Sequence, residues 1–236
     1  MGGDTRFIDL RREPPARRVA LTQAFYEQIY RDAFPIRDEA ETPETWLPLL
    51  GDAVPSGQPH THIVLACDPA SRIVGGAIFE EYRISGCWLF TYLVVHPQVR
   101  GRGIATRLLS EVLRVMAAGQ SQDPILLAEA EDPARMSDPI ERAFAEARLR
   151  ILDRLGLRRL PIDYVQPALG PDKSTLDNLF LLCFDPTGDS RVPAHRIDAF
   201  LLEFYAACGQ SSSPYVAQIS RVLAKQDALP TRRLVS

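Results

Sequence analysis

The sequence lacks several features that would assign it to a specialised class of protein. No apolar run among its 236 residues approaches the roughly 20 residues of a membrane-spanning helix, and the N-terminal residues lack the apolar core of a secretion signal. The net charge of -3 leaves no basic excess for binding nucleic acid. We therefore expect a cytoplasmic protein without membrane or nucleic-acid partners.

Cysteine is also sparse, and its spacing fits no zinc or redox motif. The four cysteines are Cys67, Cys87, Cys183 and Cys208. Histidine shows no partner pattern either, at His60, His62 or His195. These absences predict buried thiols and no metal site.

The composition is otherwise that of an ordinary globular protein, with 46% hydrophobic and 24% charged residues. Hydrophobic periodicity and turn signals predict a mixed order of strands and helices. Strands are predicted at 6–10, 61–67, 72–84, 86–95, 124–131, 164–169 and 176–184. Helices are predicted at 20–34, 42–50, 104–119, 138–156, 192–209 and 214–226. Short connections between the early strands favour antiparallel hairpins.

The stretch "LVVHPQVRGRGIATRLLSEVL" joins an apolar run to a helical pattern through two glycines and two arginines. A helix start carries unpaired N–H groups and the positive end of the helix dipole, so it binds anions well. Gly101 and Gly103 permit close approach of a phosphate, while Arg100 and Arg102 supply positive charge and Thr106 a hydroxyl. The stretch therefore predicts a pyrophosphate site, with a solvated polar turn as the alternative.

Within that stretch, "HPQVRGRGIATRLL" resembles the acetyl-CoA signature of the GNAT N-acyltransferase superfamily, whose core is Gln/Arg-x-x-Gly-x-Gly/Ala. Gln98, Gly101 and Gly103 fill those positions. A dinucleotide fingerprint is disfavoured because Thr106 stands where the third glycine would be, and the Gly-Lys-Ser/Thr of a P-loop is absent. The resemblance implies an α/β (α+β) fold over residues 6–186: a mixed, splayed, mostly antiparallel sheet of about seven strands flanked by helices. Residues 187–236 would form a C-terminal helical extension, packed on the same domain or at a subunit contact.

The same resemblance implies acetyl-CoA as co-substrate. The main chain of Leu93 and Val95 would contact the thioester and pantetheine arm, and backbone amides from Val99 to Ala105 would bind the pyrophosphate. The predicted coenzyme-binding residues are Leu93, Val94, Val95, Gln98, Val99, Arg100, Gly101, Arg102, Gly103, Ile104, Ala105 and Thr106.

The chain departs from the family pattern where many members carry a tyrosine that acts as general acid. Leu152 occupies the tyrosine position and Leu157 the position of a following phenylalanine. The leaving thiolate resembles that of cysteine, with a pKa of about 8.5, and leaves with little help. We therefore expect the loss to slow transfer rather than abolish it.

The catalytic base must also come from an unusual place, because the strand before the signature offers only Thr91 and Tyr92 as polar residues. Glu129 and Glu131 alternate with alanines in "LLAEAED" and so share one face of a strand. We predict that one of them is the base, with two solvated carboxylates at a strand end as the alternative.

Tyr164 is a third candidate catalytic residue. The resemblance places it with Gln166 on a strand bordering the acceptor site, and the alternative is a tyrosine that only packs in the core. Glu80 and Glu81 point to opposite faces of their strand, where one of them could line the site. His96 precedes the glycines and is expected to be structural.

Together these features predict an acetyl-CoA-dependent N-acetyltransferase that acts on a primary amine, by direct attack of the amine on the thioester. The long "ALGPDKSTLDN" loop and the helical tail favour a small-molecule acceptor. The alternatives are a non-catalytic acyl-CoA-binding or sensing module, and a protein lysine or N-terminal acetyltransferase. A homodimer is possible.

Overall fold

The computed structural model describes residues 5–34, 41–119, 123–170 and 172–235. Within them, seven strands form one sheet in the order β1-β2-β3-β4-β5-β7-β6, and two short strands form a second sheet. The strands are β1 (Arg6–Asp9), β2 (His60–Cys67), β3 (Ile73–Tyr82), β4 (Cys87–Val95), β5 (Ile125–Glu131), β6 (Leu157–Arg159), β7 (Leu179–Phe184), β8 (Arg191–Pro193) and β9 (Ala228–Pro230). The predicted mixed, mostly antiparallel sheet of about seven strands is confirmed.

The helices follow the predicted periodicity closely. They are α1 (Pro15–Phe25), a π-helical turn (Tyr26–Tyr30), α2 (Arg31–Ala33), α3 (Pro43–Leu49), α4 (Ile104–Ala117), α5 (Pro139–Arg154), α6 (Ala194–Ala207) and α7 (Pro214–Leu223). The start of α5 is capped by the carboxylate of Asp138, which accepts a hydrogen bond from the N–H of Ile140 at 2.6 Å. Gly156 follows the same helix with a φ of +90°, a conformation that favours glycine.

The strand predicted at 164–169 is wrong. Only Gln166 pairs there, in an isolated bridge with Leu176, because Pro161 and Pro167 on either side have no N–H to donate to a ladder. The strand that pairs with β7 at this edge is instead β6, which the sequence did not indicate. The predicted loop at 170–175 includes Pro171, which lies outside the described residues. The predicted helical tail also contains the two short strands β8 and β9.

A first compact unit comprises described residues of 1–81 and 90–121. Two adjacent glycines in β3 bring its elements close together. A Cβ atom at Gly75 would lie 2.9 Å from the carbonyl oxygen of Val94, and one at Gly76 would lie 2.5 Å from the ring of Phe25. Consecutive strand residues point to opposite faces, so the pair admits close neighbours on both sides of β3.

A second compact unit comprises described residues of 82–89 and 122–236. The two tail helices share its core with the strands, since Phe200 and Ile219 cluster with Leu127 and Leu181. The tail is thus part of one hydrophobic core rather than a loose appendage. The proposed limits of a domain at 6–186 and an extension at 187–236 stay a prediction.

Helix α6 also binds the turn between β3 and β4. The carboxylate of Glu203 accepts hydrogen bonds from the N–H groups of Ile84 and Ser85, at 3.1 and 2.9 Å. The guanidinium of Arg196 donates to the carbonyl oxygens of Ser85 and Gly86. A carboxylate and a guanidinium from the tail therefore satisfy the polar backbone of this turn.

Asp185, just after β7, is hydrogen-bonded to Thr231, which follows β9. Its buried carboxylate accepts hydrogen bonds from the hydroxyls of Thr187, Ser190 and Thr231, and from the N–H groups of Gly188 and Ser190. Although burial opposes it, these hydrogen bonds, led by that of Thr231, lower the pKa of Asp185 well below its ordinary value. The group is a structural centre of the second unit.

Candidate active site

The predicted phosphate-binding stretch forms a tight turn between β4 and α4. Gly101 has a φ of +78° and Gly103 a φ of +73°, both in the left-handed region where a side chain costs about 1–2 kcal/mol. Gly103 is the N-cap of α4 and offers no side-chain cap. We call residues 99–106 the glycine-arginine turn.

The surroundings of this turn fit a phosphate group. A Cβ atom placed on Gly101 or Gly103 would meet no atom within 4 Å, so the space above the glycines is open. The first-turn N–H groups of α4, at Ile104, Ala105 and Thr106, have no acceptor within the helix, and the helix dipole adds positive potential. An anion could therefore reach the backbone of the turn.

The polar side chains around the turn have distinct roles. Arg100 donates from Nε to the carbonyl oxygen of Val95 at 3.1 Å, which fixes its side chain beside the turn, whereas Arg102 is exposed. His96 accepts a hydrogen bond at Nδ1 of its ring from the backbone N–H of Gln98 at 3.3 Å. The backbone N–H of His96 donates to the carbonyl oxygen of Val74 at 2.9 Å. His96 thus shapes the turn, in agreement with the structural role predicted for it.

In the second unit, Glu129 and Tyr164 lie in direct contact although 35 residues separate them. The hydroxyl of Tyr164 donates a hydrogen bond to Oε1 of Glu129, and Nε2 of Gln166 donates to Oε2 at 2.8 Å. Burial, and next the charge of Glu129, raise the pKa of Tyr164 well above its ordinary value, so its proton stays on the phenol at neutral pH. We call these three residues the Glu129 cluster.

Glu131 has a different environment. Its carboxylate forms an ion pair with the guanidinium of Arg148 on α5. Glu129 and Glu131 do share one side of β5, as their register against Leu181 and Leu179 of β7 shows. Arg148 thus compensates the charge of Glu131, whereas Glu129 accepts hydrogen bonds from Tyr164 and Gln166.

The segment that carries Tyr164 and Gln166 is attached at three backbone carbonyls to α6, α7 and the connection between them. The hydroxyl of Tyr215 donates to the carbonyl of Asp163 at 2.9 Å. The hydroxyl of Tyr205 donates to that of Val165, also at 2.9 Å. Nε2 of Gln210 donates to that of Ala168 at 2.8 Å. The tail therefore holds the backbone on both sides of the residues that bind Glu129.

Residues 58–136 match the family model described as the acetyltransferase (GNAT) domain. With the seven-stranded sheet and the glycine-arginine turn, this match decides the assignment. The chain carries a GNAT acetyltransferase domain.

A solved structure with a TM-score above 0.5 agrees with this assignment at the level of the fold. A protein provisionally described as a GNAT-family acetyltransferase from Bacteroides thetaiotaomicron has a TM-score of 0.53 at 16% identity, covering 76% of this chain and 86% of its own. GCN5 from Tetrahymena has a TM-score of 0.49 at 17% identity, covering 77% of this chain and 97% of its own. None of the curated proteins matches the chain significantly in sequence. The chain is an acyltransferase, and its GNAT fold implies acetyl-CoA as the co-substrate.

The chain has no tyrosine at the position where the resemblance to the family predicts the usual general acid. Leu152 lies there, half-buried on α5. The neighbouring Asp153 is buried and accepts hydrogen bonds from Arg158, Arg233 and the N–H of Leu234. These contacts fasten the chain terminus to α5, so Asp153 has a structural role.

The remaining sequence candidates lie in β2 and β3 of the first unit. Glu80 and Glu81 are both buried, opposite Thr61 and His60 respectively. The prediction that they occupy opposite faces agrees with this register. Across the described parts of the chain, no group of three His, Cys, Asp or Glu residues is arranged to hold a metal ion. No helix in those parts is long and apolar enough to cross a membrane.

Sequence reasoning did not find Tyr205, Gln210 and Tyr215. Tyrosines on the apolar face of a helix are typical of a core, and their sequence offers no sign of where the hydroxyl points. The one available signal was their residue type, because a buried tyrosine often places its hydroxyl at the edge of a core, where it finds a hydrogen-bond partner.

Proposed function

We propose that this GNAT domain transfers the acetyl group of acetyl-CoA to the primary amine of a small molecule, with Glu129 as the base. The observation that supports this most is the placement of Glu129: a half-buried carboxylate with hydrogen bonds to both oxygens, from Tyr164 and Gln166. Such a carboxylate is oriented for proton transfer rather than free to rotate.

The reaction requires a base because the acceptor must be neutral to attack. An amine with a pKa near 10.4 is neutral in roughly 1 molecule of 2,500 at pH 7. That fraction corresponds to a barrier of about 4–5 kcal/mol. Glu129 lowers this barrier by accepting a proton from the ammonium or from the attacking amine.

The chain's other residues bind and orient. Acetyl-CoA supplies the acyl thioester, and the glycine-arginine turn with Arg100 and Arg102 would bind its pyrophosphate. The new C–N bond forms as the C–S bond breaks, the amine proton passes to Glu129, and the thiolate takes a proton from solvent. Tyr164 donates its hydrogen bond to Glu129 and keeps its proton, so its role in this scheme is positioning rather than acid catalysis.

A small-molecule acceptor is favoured by the way residues 163–168 are fastened. Tyr205, Gln210 and Tyr215 bind the backbone of these six residues, which limits the opening of a groove for a polypeptide beside the Glu129 cluster. A protein lysine or N-terminal amine remains the alternative acceptor, and an acyl-CoA-binding module without catalysis the alternative function.

The base is tested by replacing Glu129 with Gln, with Glu131→Gln as the matched control on the same face of the same strand. We expect Glu129→Gln to lower kcat/KM by about 10²–10⁴-fold at pH 7, with partial recovery at high pH, where free amine is abundant. Its affinity for acetyl-CoA should barely change. The Glu131→Gln variant should retain most of the activity.

Three outcomes distinguish the alternatives. If wild type releases no free thiol from acetyl-CoA with any amine of a panel, yet binds CoA, the chain is a binding module. If only peptide amines react, the acceptor is a protein. If Glu129→Gln is as active as wild type at pH 7 on the true acceptor, the base lies elsewhere.

The co-substrate site is tested with Gly101→Ala. We expect this variant to lose the rise in melting temperature that CoA gives to wild type by binding the folded state. The matched control is Gly57→Ala, because Gly57 also has a positive φ (+80°) and no atom within 4 Å of an added Cβ. Both variants should lose similar intrinsic stability, about 1–2 kcal/mol, so an equal CoA-dependent shift in the two would rule out the glycine-arginine turn.

A further inference from the structure

Helix α5 carries two apolar faces, of which one contributes to the core. Ala145 and Leu149 point into the second unit and are buried. Ile140, Phe144 and Ile151 are instead 67%, 66% and 46% exposed. An amphipathic surface helix normally has charged or polar residues on that outer side.

The exposed residues form a continuous stripe. Their spacing of four and then seven residues keeps them within about 40° of one another around the helix, directly opposite the buried face. Ala147, which is half-buried, lies between Phe144 and Ile151. The stripe spans about 16 Å along the axis. Spacings of four and three residues are those by which helices pack side by side.

The charges beside the stripe are divided along the helix. Acidic side chains predominate in and just before its first half, at Asp138, Glu141 and Glu146, and the second half exposes Arg150 and Arg154, besides Arg148, which is paired with Glu131. Arg142, the exception in the first half, donates a hydrogen bond to the carbonyl of Met136. A parallel pair of these helices would bring like charges together, whereas an antiparallel pair would place acidic beside basic halves.

We propose that α5 pairs antiparallel with α5 of a second copy of this chain, about a two-fold axis. Such an interface is self-complementary. Ile140 of one copy faces Ile151 of the other, and Phe144 faces Ala147, so that a large side chain meets a small one at the centre. The pairing covers the most exposed large apolar residues of the helix and matches its charge halves. It does not depend on the proposed catalytic role of Glu129.

The association is tested by measuring the mass of the intact chain by light scattering during gel filtration. Wild type should have twice the chain mass at about 100 µM and dissociate on dilution, as for a Kd in the micromolar range. Phe144→Glu should be monomeric at both concentrations. The control is Ile84→Glu, which introduces the same charge at a residue that is 82% exposed in the β3–β4 turn, and it should remain dimeric.

The orientation is tested by oxidative cross-linking of single-cysteine additions. Ile140→Cys chains should cross-link with Ile151→Cys chains when mixed, and neither should cross-link efficiently with itself. A wild type that is monomeric at about 100 µM, or a Phe144→Glu chain that stays dimeric, would overturn the proposal. Self-cross-linking of Ile140→Cys would show parallel pairing and overturn the antiparallel arrangement.

Discussion

Substitution of Tyr205 and Tyr215 by phenylalanine would remove the hydroxyl group of each side chain and keep its aromatic ring. Tyr205 and Tyr215 each donate one hydrogen bond to the segment that carries Tyr164 and Gln166. Burial raises the pKa of Tyr215 to about 12 and that of Tyr205 above its ordinary value as well, so both are donors at neutral pH. The double variant Tyr205→Phe, Tyr215→Phe removes these donors and keeps the aromatic packing.

The expected magnitudes follow from the bonds involved. Two neutral hydrogen bonds contribute about 1–3 kcal/mol to stability together. The rate depends on the two bonds to Glu129, each worth about 1.5–3 kcal/mol because the acceptor is charged. Complete loss of one of these hydrogen bonds would lower the rate by about 10- to 150-fold. The double variant loosens the segment without removing Tyr164 or Gln166, so we expect a loss of about 10-fold.

The assay is kcat/KM against pH with the true acceptor. Tyr164 and Gln166 orient the carboxylate of Glu129, so loosening them should lower kcat/KM at neutral pH more than at high pH, where free amine is abundant and needs no base. The control is Ser220→Ala, which removes a hydrogen bond to Asp198 between the two tail helices. This variant keeps the hydrogen bonds from Tyr205 and Tyr215 to the backbone of residues 163–168. It should lower stability without changing kcat/KM at neutral pH.

One result would refute the reasoning. If the double variant and Ser220→Ala lose comparable stability and both keep the wild-type pH profile and rate, the tail does not position the Glu129 cluster. The tail would then contribute to the core alone.

Three further predictions concern stability. Because hydrogen bonds lower the pKa of Asp185 in the folded state, its stabilisation is complete above its ordinary pKa of about 3.9 and is lost as the pH falls below it; denaturant melts should therefore show a flatter acid dependence for Asp185→Asn than for wild type. The fully buried Thr61 hydroxyl has no hydrogen-bond partner among the described residues, so Thr61→Val should raise the free energy of unfolding by about 1 kcal/mol, and a decrease would show an unrecognised partner. A chain that ends at Asp185 loses Phe200 from the core and Glu203 from the β3–β4 turn, and it should be insoluble; a soluble, cooperatively melting product would contradict this.

Much of the fold was readable because helices and strands are periodic. The stripe of Ile104, Leu108 and Val112 predicted α4, and the same residues are buried on it. The segment at 164–169 was misread because its apolar residues alternate as in a strand, yet Pro167 within it and Pro161 before it have no N–H group to give to a ladder. The three-residue strand β6 is too short to show any period.

The glycine-arginine turn and the Glu129 cluster differ in what determines them. Arg100, Gly101, Arg102 and Gly103 are contiguous, and the left-handed φ values of the glycines arise locally, so the sequence by itself determined this part of the site. The choice between Glu129 and Glu131 depended on partners from far along the chain: Arg148 binds Glu131, whereas Tyr164 and Gln166 bind Glu129. Two carboxylates on one strand face have the same local pattern, and only the tertiary structure decides which of them binds Arg148 and which binds Tyr164 and Gln166.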